Sequence, residues 1–314
     1  MTMSTSTPTP APSAGKPPAG DRHRSRAGEI VRRTWGDTSG KIAVVMIALL
    51  VLAALCAPLL TPYSPVVQDL ALTNEKPSWL GGAGGHLLGT DPLGRDVLSR
   101  VLHGLRLSLA VGLGVASAAA VVGLVLGLVA GWYESSLGVL LMRLADIQFA
   151  VPFVAVGVAI AAVVGPGIVK LAVILAVWGW ASYARTIVTS VSQVKRQDFV
   201  TAARTVGAGT TRLMYRHIAP NVVGPVIILW STSVGVMVLV ESALSLLGLG
   251  TQPPSFSLGS MLADSQTTLR LAWWAAVFPG LAIMLVVVAF NLLGDALRDA
   301  FNPQVRLRND PELW

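Results

Sequence analysis

Long tracts without a charged side chain constrain this sequence more than any other feature. Four of them cover residues 107–133, 147–169, 222–240 and 271–294. About 20 consecutive apolar residues cross the hydrocarbon core of a bilayer as a helix. Only 12% of the chain is charged, whereas an ordinary soluble domain carries about 25%. We therefore predict an all-α polytopic membrane protein rather than a soluble helical protein with a large core.

The apolar pattern predicts six transmembrane helices. Their predicted bounds are residues 42–60, 107–133, 147–164, 168–184, 222–247 and 271–293. An even number of spans places both termini on one side, and 17 of the 23 Lys and Arg residues fall on that side. The positive-inside rule assigns that side to the cytoplasm. The net charge of +7 follows from this bias, so the lipid bilayer is an expected partner and nucleic acid is not.

The order of apolar and polar stretches predicts the domain organisation. Residues 1–40 form a disordered, basic cytoplasmic tail, and residues 304–314 form a second, shorter cytoplasmic tail. Between them, residues 41–303 form the transmembrane domain. That domain carries an external segment at 61–104 and a polar cytoplasmic insertion at 191–221.

Sequence signatures of covalent chemistry are missing from the chain. It contains no GxxxxGK[ST] phosphate loop, GxSxG elbow, HExxH or CxxC motif, and its four histidines are far apart. The single cysteine, Cys56, excludes a disulfide framework. We expect no catalytic residue, no metal and no cofactor in this chain, and therefore not an enzyme with its own ATPase site.

The insertion at 191–221 contains an apolar stripe with helical spacing. The stripe residues are Phe199, Ala202, Ala203 and Val206. Gly207 can adopt a positive φ and end this helix, Thr210 or Thr211 can cap a second helix, and Pro220 is expected to stop that second helix before the fifth span. The pattern leaves two interpretations open, a helix that docks in a groove of a partner and an amphipathic helix that lies along the membrane.

A carboxylate in an apolar tract is a second candidate site. Glu241 follows residues 222–240 and precedes Ser242, and a charge at mid-membrane costs ~2.5–3.5 kcal/mol on insertion scales. Glu241 and Ser242 either line a pathway near an outer gate or serve structure alone, with the carboxyl bonded to neighbouring hydroxyls.

The insertion resembles the EAA loop of the permeases of ATP-binding-cassette importers. The matching residues are Thr201-Ala202-Ala203, Gly207 and Ile218-Ala219-Pro220, with Thr201 where the family usually has Glu and Ala219 where it usually has Leu. Four further segments resemble the C-type permease subunit of the dipeptide, oligopeptide and nickel branch. They read LLGTDPLGRDVLSRVLHGLRLSL, RHIAPN, ESALSLLGLG and FNLLGDALRDAFNP.

This resemblance implies a type I importer permease in the bacterial cytoplasmic membrane. Its implied partners are a second, homologous permease subunit, two ATPase subunits that bind ATP and Mg, and an extracytoplasmic solute-binding protein. The implied ATPase-coupling residues are Phe199, Thr201, Ala202, Ala203, Arg204, Gly207, Arg216 and Pro220, with Arg204 expected as a rim contact. Short peptides are the implied substrate, nickel chelates and glutathione are alternatives within the family, and a membrane-embedded enzyme or a channel are alternatives outside it.

Overall fold

A computed structural model describes residues 34–133 and 136–301, together with Gly28 and Arg32. The predicted tail at 304–314 and most of the predicted tail at 1–40 lie outside the described residues. Within the described ranges the chain is helical, and its one pair of bridged β residues is Thr90 with Asp96. The helices, numbered in chain order, are α1 Thr38–Leu55, α2 Ala57–Leu60, α3 Val97–Trp132, α4 Ser136–Ala150, α5 Phe153–Val164, α6 Ile168–Lys195, α7 Asp198–Thr205, α8 Thr210–Leu213, α9 Ala219–Leu246, α10 Leu258–Ser265 and α11 Trp274–Phe301.

Among the described residues, five stretches of helix are long and apolar enough to cross a membrane. They are α1, α3, α6, α11 and the run Thr210–Leu246, which joins α8 to α9. Helices α4 and α5 form a sixth span if they are taken together, although they are bent by 91°. The bend falls at Pro152, which precedes α5 and cannot donate the backbone hydrogen bond that would continue α4. The prediction of a six-span all-α membrane protein is confirmed with this broken third span.

Three predicted boundaries are wrong because a charged residue or a proline was taken as the end of a helix. Helix α3 begins at Val97 rather than at residue 107, since the side chain of Asp96 caps it by accepting a hydrogen bond from the Ser99 amide at 2.7 Å. Helix α6 runs past residue 184 to Lys195. The fifth span begins at Thr210, because a π-helical stretch, Met214–Ile218, connects α8 to α9. Helices extend beyond the bilayer core wherever their backbone hydrogen bonds continue.

A row of glycines on α3 brings that helix against α6. A Cβ atom at Gly127 would lie 2.8 Å from the Cβ of Ile187 and 2.9 Å from the carbonyl oxygen of Ala184. One turn further on, a Cβ at Gly131 would lie 2.9 Å from the Cβ of Val191. Apolar helices in lipid associate through such close packing rather than through water exclusion. The glycine row is therefore a packing seam within this chain.

A charged network holds the external segment on the ends of α3 and α10. Asp91 accepts hydrogen bonds from Arg95 Nε at 2.7 Å and from Arg100 Nη1 at 2.5 Å. Arg100 is buried and also reaches Asp264 of α10 at 3.1 Å, while its guanidinium lies 4.8 Å from the ring centre of Phe256. Because the buried charges are paired with each other, this cluster braces the outer end of α3.

The seam predicts that one added methyl group has different effects on stability at two glycines of α3. We expect Gly127→Ala to lower the stability of the purified chain in detergent by about 1–3 kcal/mol, the usual cost of overpacking. Gly114→Ala is the matched control, since a Cβ there meets nothing within 4 Å, and it should leave stability unchanged or slightly higher. Thermal unfolding midpoints measure both, and equal midpoints for the two variants would refute the seam.

Candidate functional site

The insertion between the fourth and fifth spans forms a short helix with one buried side chain. Helix α7, Asp198–Thr205, follows the end of α6, and among its residues Val200 alone is buried. Val200 packs in an apolar cluster with Trp132 from α3, Val191 from α6 and Leu213 from α8. The cluster fixes which face of α7 points toward the protein.

Gly207 ends α7 as the sequence predicts. Its φ is +85°, a backbone conformation that favours glycine. The amide of Gly207 donates to the carbonyl oxygen of Arg204 at 2.9 Å, and the amide of Ala208 donates to that of Ala203 at 3.0 Å. These two bonds form a Schellman motif, which satisfies the last carbonyls of the helix. The chain can therefore reverse direction sharply after eight residues of helix.

The predicted apolar stripe lies mainly on the exposed side of α7. Phe199 is 41% exposed and Val206 is 88% exposed, while Thr201 and Ala202 are also exposed and Ala203 is half-buried. The stripe thus does not serve the core of this chain. It remains available to another surface, which both of the sequence interpretations require.

The second half of the insertion differs from the prediction in two ways. Gly209 occupies the N-cap of α8 without a side-chain cap, so neither Thr210 nor Thr211 has the predicted capping role. Pro220 does not stop the helix: it directly follows the π-helical stretch Met214–Ile218, and the chain stays helical from Thr210 to Leu246. The second helix of the insertion is therefore continuous with the fifth span.

A groove of about 310 Å³ separates α7 from the start of that continuous helix. Its wall contains Gly207, Arg212, Arg216 and His217, and the ring of His217 lies 6.3 Å from the ring of Phe199. Of the predicted coupling residues, Ala203, Gly207 and Arg216 meet at this groove. Phe199 lies on its flank, while Pro220 lies beyond it in α9.

Arg204 contacts an aromatic ring that the sequence interpretation missed. Its guanidinium carbon lies 4.9 Å from the ring centre of Trp132, which is only 8% exposed. Lys195 Nζ lies 5.5 Å from the same ring and donates to the backbone oxygen of Trp132 at 3.0 Å. The expected rim contact of Arg204 with a partner stays a prediction. Two features of the sequence could have indicated the contact between Arg204 and Trp132. One is a tryptophan at the inner end of an apolar tract, and the other is the presence of cationic residues in the insertion.

Glu241 and Ser242 lie together at a second buried location. Glu241 is fully buried and accepts a hydrogen bond from the Ser245 hydroxyl at 2.7 Å, with longer contacts of 3.4 Å to Ser108 and Ser242. The Ser108 hydroxyl also accepts from the Leu258 amide at 3.3 Å. Because Leu258 begins α10, the carboxyl of Glu241 joins α3 and α9 to that short helix.

Metal-ligating side chains do not gather at either location. Across the part of the chain that the structure describes, no three His, Cys, Asp or Glu residues are placed so that they could hold a metal ion. The polar groups found here can bind and position neighbouring segments.

Comparison with known proteins identifies the family. Residues 123–307 match the family described as binding-protein-dependent transport system inner membrane component, and residues 25–77 match the N-terminal transmembrane domain of oligopeptide transport permease C. The chain is 43% identical over 264 residues to a di/tripeptide transport system permease of Pseudomonas aeruginosa, which covers 84% of this chain and 87% of that protein.

Further relatives cover still more of the chain. A dipeptide transport system permease of Alkalihalophilus pseudofirmus is 34% identical over 95% of this chain and 97% of its own length. A glutathione transport system permease of Pectobacterium atrosepticum is 37% identical over 88% of this chain and 91% of its own length. The chain is therefore a multi-pass inner-membrane protein that belongs to the family of permease components of binding-protein-dependent transport systems, within the branch that contains the dipeptide and oligopeptide C-type permeases.

Proposed function

We propose that this chain is a permease subunit that moves short peptides into the cell with energy from separate ATPase subunits. The observation that carries this proposal is the exposed apolar face of α7, a short helix whose other face is packed on the inner ends of the spans. A short helix with an apolar exposed face suits insertion into a groove of a partner. Family membership favours this interpretation over an amphipathic helix lying on lipid.

The partners follow from the family and from the chain's own chemistry. ATP and Mg²⁺ are proposed to bind to two ATPase subunits, because this sequence has no phosphate-binding loop. A second, homologous permease subunit would complete the translocation path, and a solute-binding protein would deliver the ligand at the external segment. In this arrangement the present chain catalyses no covalent step and holds no cofactor of its own.

Movement of the ATPase subunits would reach the spans through α7. The ATPase subunits approach each other when they bind ATP and separate after hydrolysis, and a helix seated in a cleft of one of them is carried along. Phe199, Ala202 and Val206 are proposed to enter that cleft, with Thr201 at its edge. Thr201 cannot form the ion pair that a glutamate would form there, so the contact is proposed to be apolar.

Peptides are the proposed substrate, and glutathione is the second candidate. Of the relatives described above, the one at 43% identity is named for di- and tripeptide transport, the one at 37% for glutathione transport and the one at 34% for dipeptide transport. Nickel chelates remain the third possibility within the branch. A membrane enzyme would act as the purified chain alone, and a channel would conduct without ATP.

Uptake into proteoliposomes tests the proposed substrate. The chain, its second permease, its ATPase subunits and its solute-binding protein are reconstituted together, and the uptake of labelled dipeptide, tetrapeptide, glutathione and Ni²⁺ is measured with ATP or without it. We expect ATP-dependent uptake of the peptides above that of Ni²⁺. Uptake of glutathione alone would replace the substrate, and ATP-independent uptake would overturn the importer proposal.

Gly207 allows a test of coupling with a control two residues away. We expect Gly207→Val to reduce peptide uptake at least tenfold while ATP hydrolysis continues, because a β-branched residue at a φ of +85° distorts the end of α7. Gly209 has an extended backbone, with φ −65° and ψ 155°, and open space around it. Gly209→Val should therefore keep uptake near the wild-type value. Normal uptake by Gly207→Val in a correctly inserted complex would contradict the coupling role.

Glu241 and Ser242 are proposed to affect transport through packing near the outer gate. Ser242 lies close to α10, since a Cβ at Gly259 would come 2.5 Å from the Ser242 Cα. Glu241 supplies the acceptor that joins α9 to its neighbours. A negative charge in contact with the peptide is not part of this proposal.

Two substitutions of Glu241 separate packing from charge. Glu241→Gln keeps an acceptor oxygen for Ser245, so we expect both uptake and the thermal unfolding midpoint to stay near wild type. Glu241→Leu leaves buried hydroxyl groups unsatisfied, at about 1–3 kcal/mol for each, and both quantities should fall. Loss of uptake in Glu241→Gln with an unchanged midpoint would instead assign the charge to the translocation path.

A further inference from the structure

Trp132 is the point where the coupling segment meets two long helices. It is the last residue of α3, and two cationic groups lie over its ring, Arg204 from α7 at 4.9 Å and Lys195 from the end of α6 at 5.5 Å. The ring is nearly buried. The end of α3 therefore meets α6 and the adjoining α7 at one indole ring.

The two cationic groups hold the ring in different ways. Lys195 Nζ also donates to the backbone oxygen of Trp132 at 3.0 Å, so α6 is bonded to the backbone at the end of α3. Arg204 contacts the face of the ring, and Arg204 itself is an exposed residue. An interaction of this kind contributes about 0.5–1 kcal/mol at exposed sites and about 2 kcal/mol or more when desolvated. A cation–π interaction of this strength can hold α7 against the end of α3 while the cation stays exposed.

Helix α7 needs such a lateral contact. Eight residues are fewer than the roughly 12–15 that an isolated helix needs to be even marginally stable, and Val200 is the one buried side chain of α7. Val200 and the small, half-buried Ala203 pack α7 on the apolar cluster. The Arg204–Trp132 pair adds a contact of a different kind, one turn beyond Val200 on the same helix.

We propose that Trp132 is a positioning residue for energy coupling. Held by Lys195, its ring receives Arg204 and fastens α7 to the inner ends of α3 and α6, so that a displacement of α7 moves this helix pair. The inference deepens the proposed function and rests on it, since it assumes that α7 is displaced by an ATPase subunit. A purely structural Trp132 would instead support the apolar cluster and leave the number of peptides imported per ATP unchanged.

A double-mutant cycle on the reconstituted importer separates these roles. The readout is peptide imported per ATP hydrolysed, measured for Arg204→Met, Trp132→Leu and the variant with both changes. Loss of a contact of about 1 kcal/mol corresponds to about fivefold, so we expect each single change to lower the ratio about three- to tenfold. The double variant should import no less peptide per ATP than the single variant with the lower ratio, because both changes remove the same contact.

Conservative changes and a matched control complete the design. Arg204→Lys and Trp132→Phe keep a cation and an aromatic face, and both should recover most of the ratio. Arg196→Met removes an exposed cation from the same loop and should leave the ratio unchanged. If Trp132→Leu fails to assemble, the series Arg204→Met, Arg204→Lys and Arg196→Met still decides the matter, since Arg204 is exposed.

Different results would overturn the role of Trp132, the proposed function or the Arg204–Trp132 contact. If the effects of the two single changes multiply in the double variant, the proposed role of Trp132 is overturned. A ratio of peptide to ATP that no variant alters would also overturn it. A wild-type complex without ATP-dependent peptide uptake would overturn the proposed function itself. A ratio reduced equally by Arg204→Met and Arg196→Met would assign the effect to the charge of the loop and refute the contact.

Discussion

The close approach of α3 and α6 is the constraint on which the rest of this structure depends. Helices in a bilayer gain nothing from hiding apolar surface from lipid, so they associate where small residues let backbones come together. Gly131, the last glycine of the seam, directly precedes Trp132, and its partner Val191 lies one turn before Lys195. The seam therefore fixes where Trp132 and Lys195 meet at the inner end of the helix pair.

The insertion after α6 takes its geometry from this fixed end. Helix α7 is too short to be stable alone, and the apolar cluster around Val200 joins it to α3, α6 and α8. Gly207 then turns the chain through a positive φ, so that the following segment returns alongside α7 and leaves a groove between them. Each of these steps orients the exposed face of α7 away from the spans.

The sequence allowed prediction of those features that local chemistry determines. Charge-free tracts predicted the spans because lipid cannot solvate charges, and Gly207 predicted the end of α7 because few other residues adopt its backbone conformation. Boundaries were predicted less well. The predicted start of the second span at residue 107 is wrong because α3 extends to Val97. Asp91 and Asp264 pair with the buried charge of Arg100 on the added turns. Pro220 does not end a helix, because it directly follows the π-helical stretch and the chain stays helical through it.

The missed features depend on contacts between distant segments. Trp132 and Lys195 are 63 residues apart, and no spacing within either helix indicates that they meet. The same holds for Glu241, whose neighbour Ser108 is 133 residues away. A sequence pattern describes which face of a helix is apolar, but it does not describe which helix covers that face. For α7 the pattern identified the stripe that contains Phe199, but it did not indicate that Val200 is the buried side chain.

Connections of two kinds lead from α7 into the spans. The covalent chain joins α7 to α6 directly before it and, after the turn at Gly207, to the helix that runs through α8 and the π-helical stretch into α9 without a break. The non-covalent contact of Arg204 with Trp132 adds a connection to α3. A continuous helix transmits displacement along its axis, whereas a contact on a ring face transmits it sideways. Because these connections end on different helices, the proposed movement of α7 would act on α9 and on the α3–α6 pair from different directions.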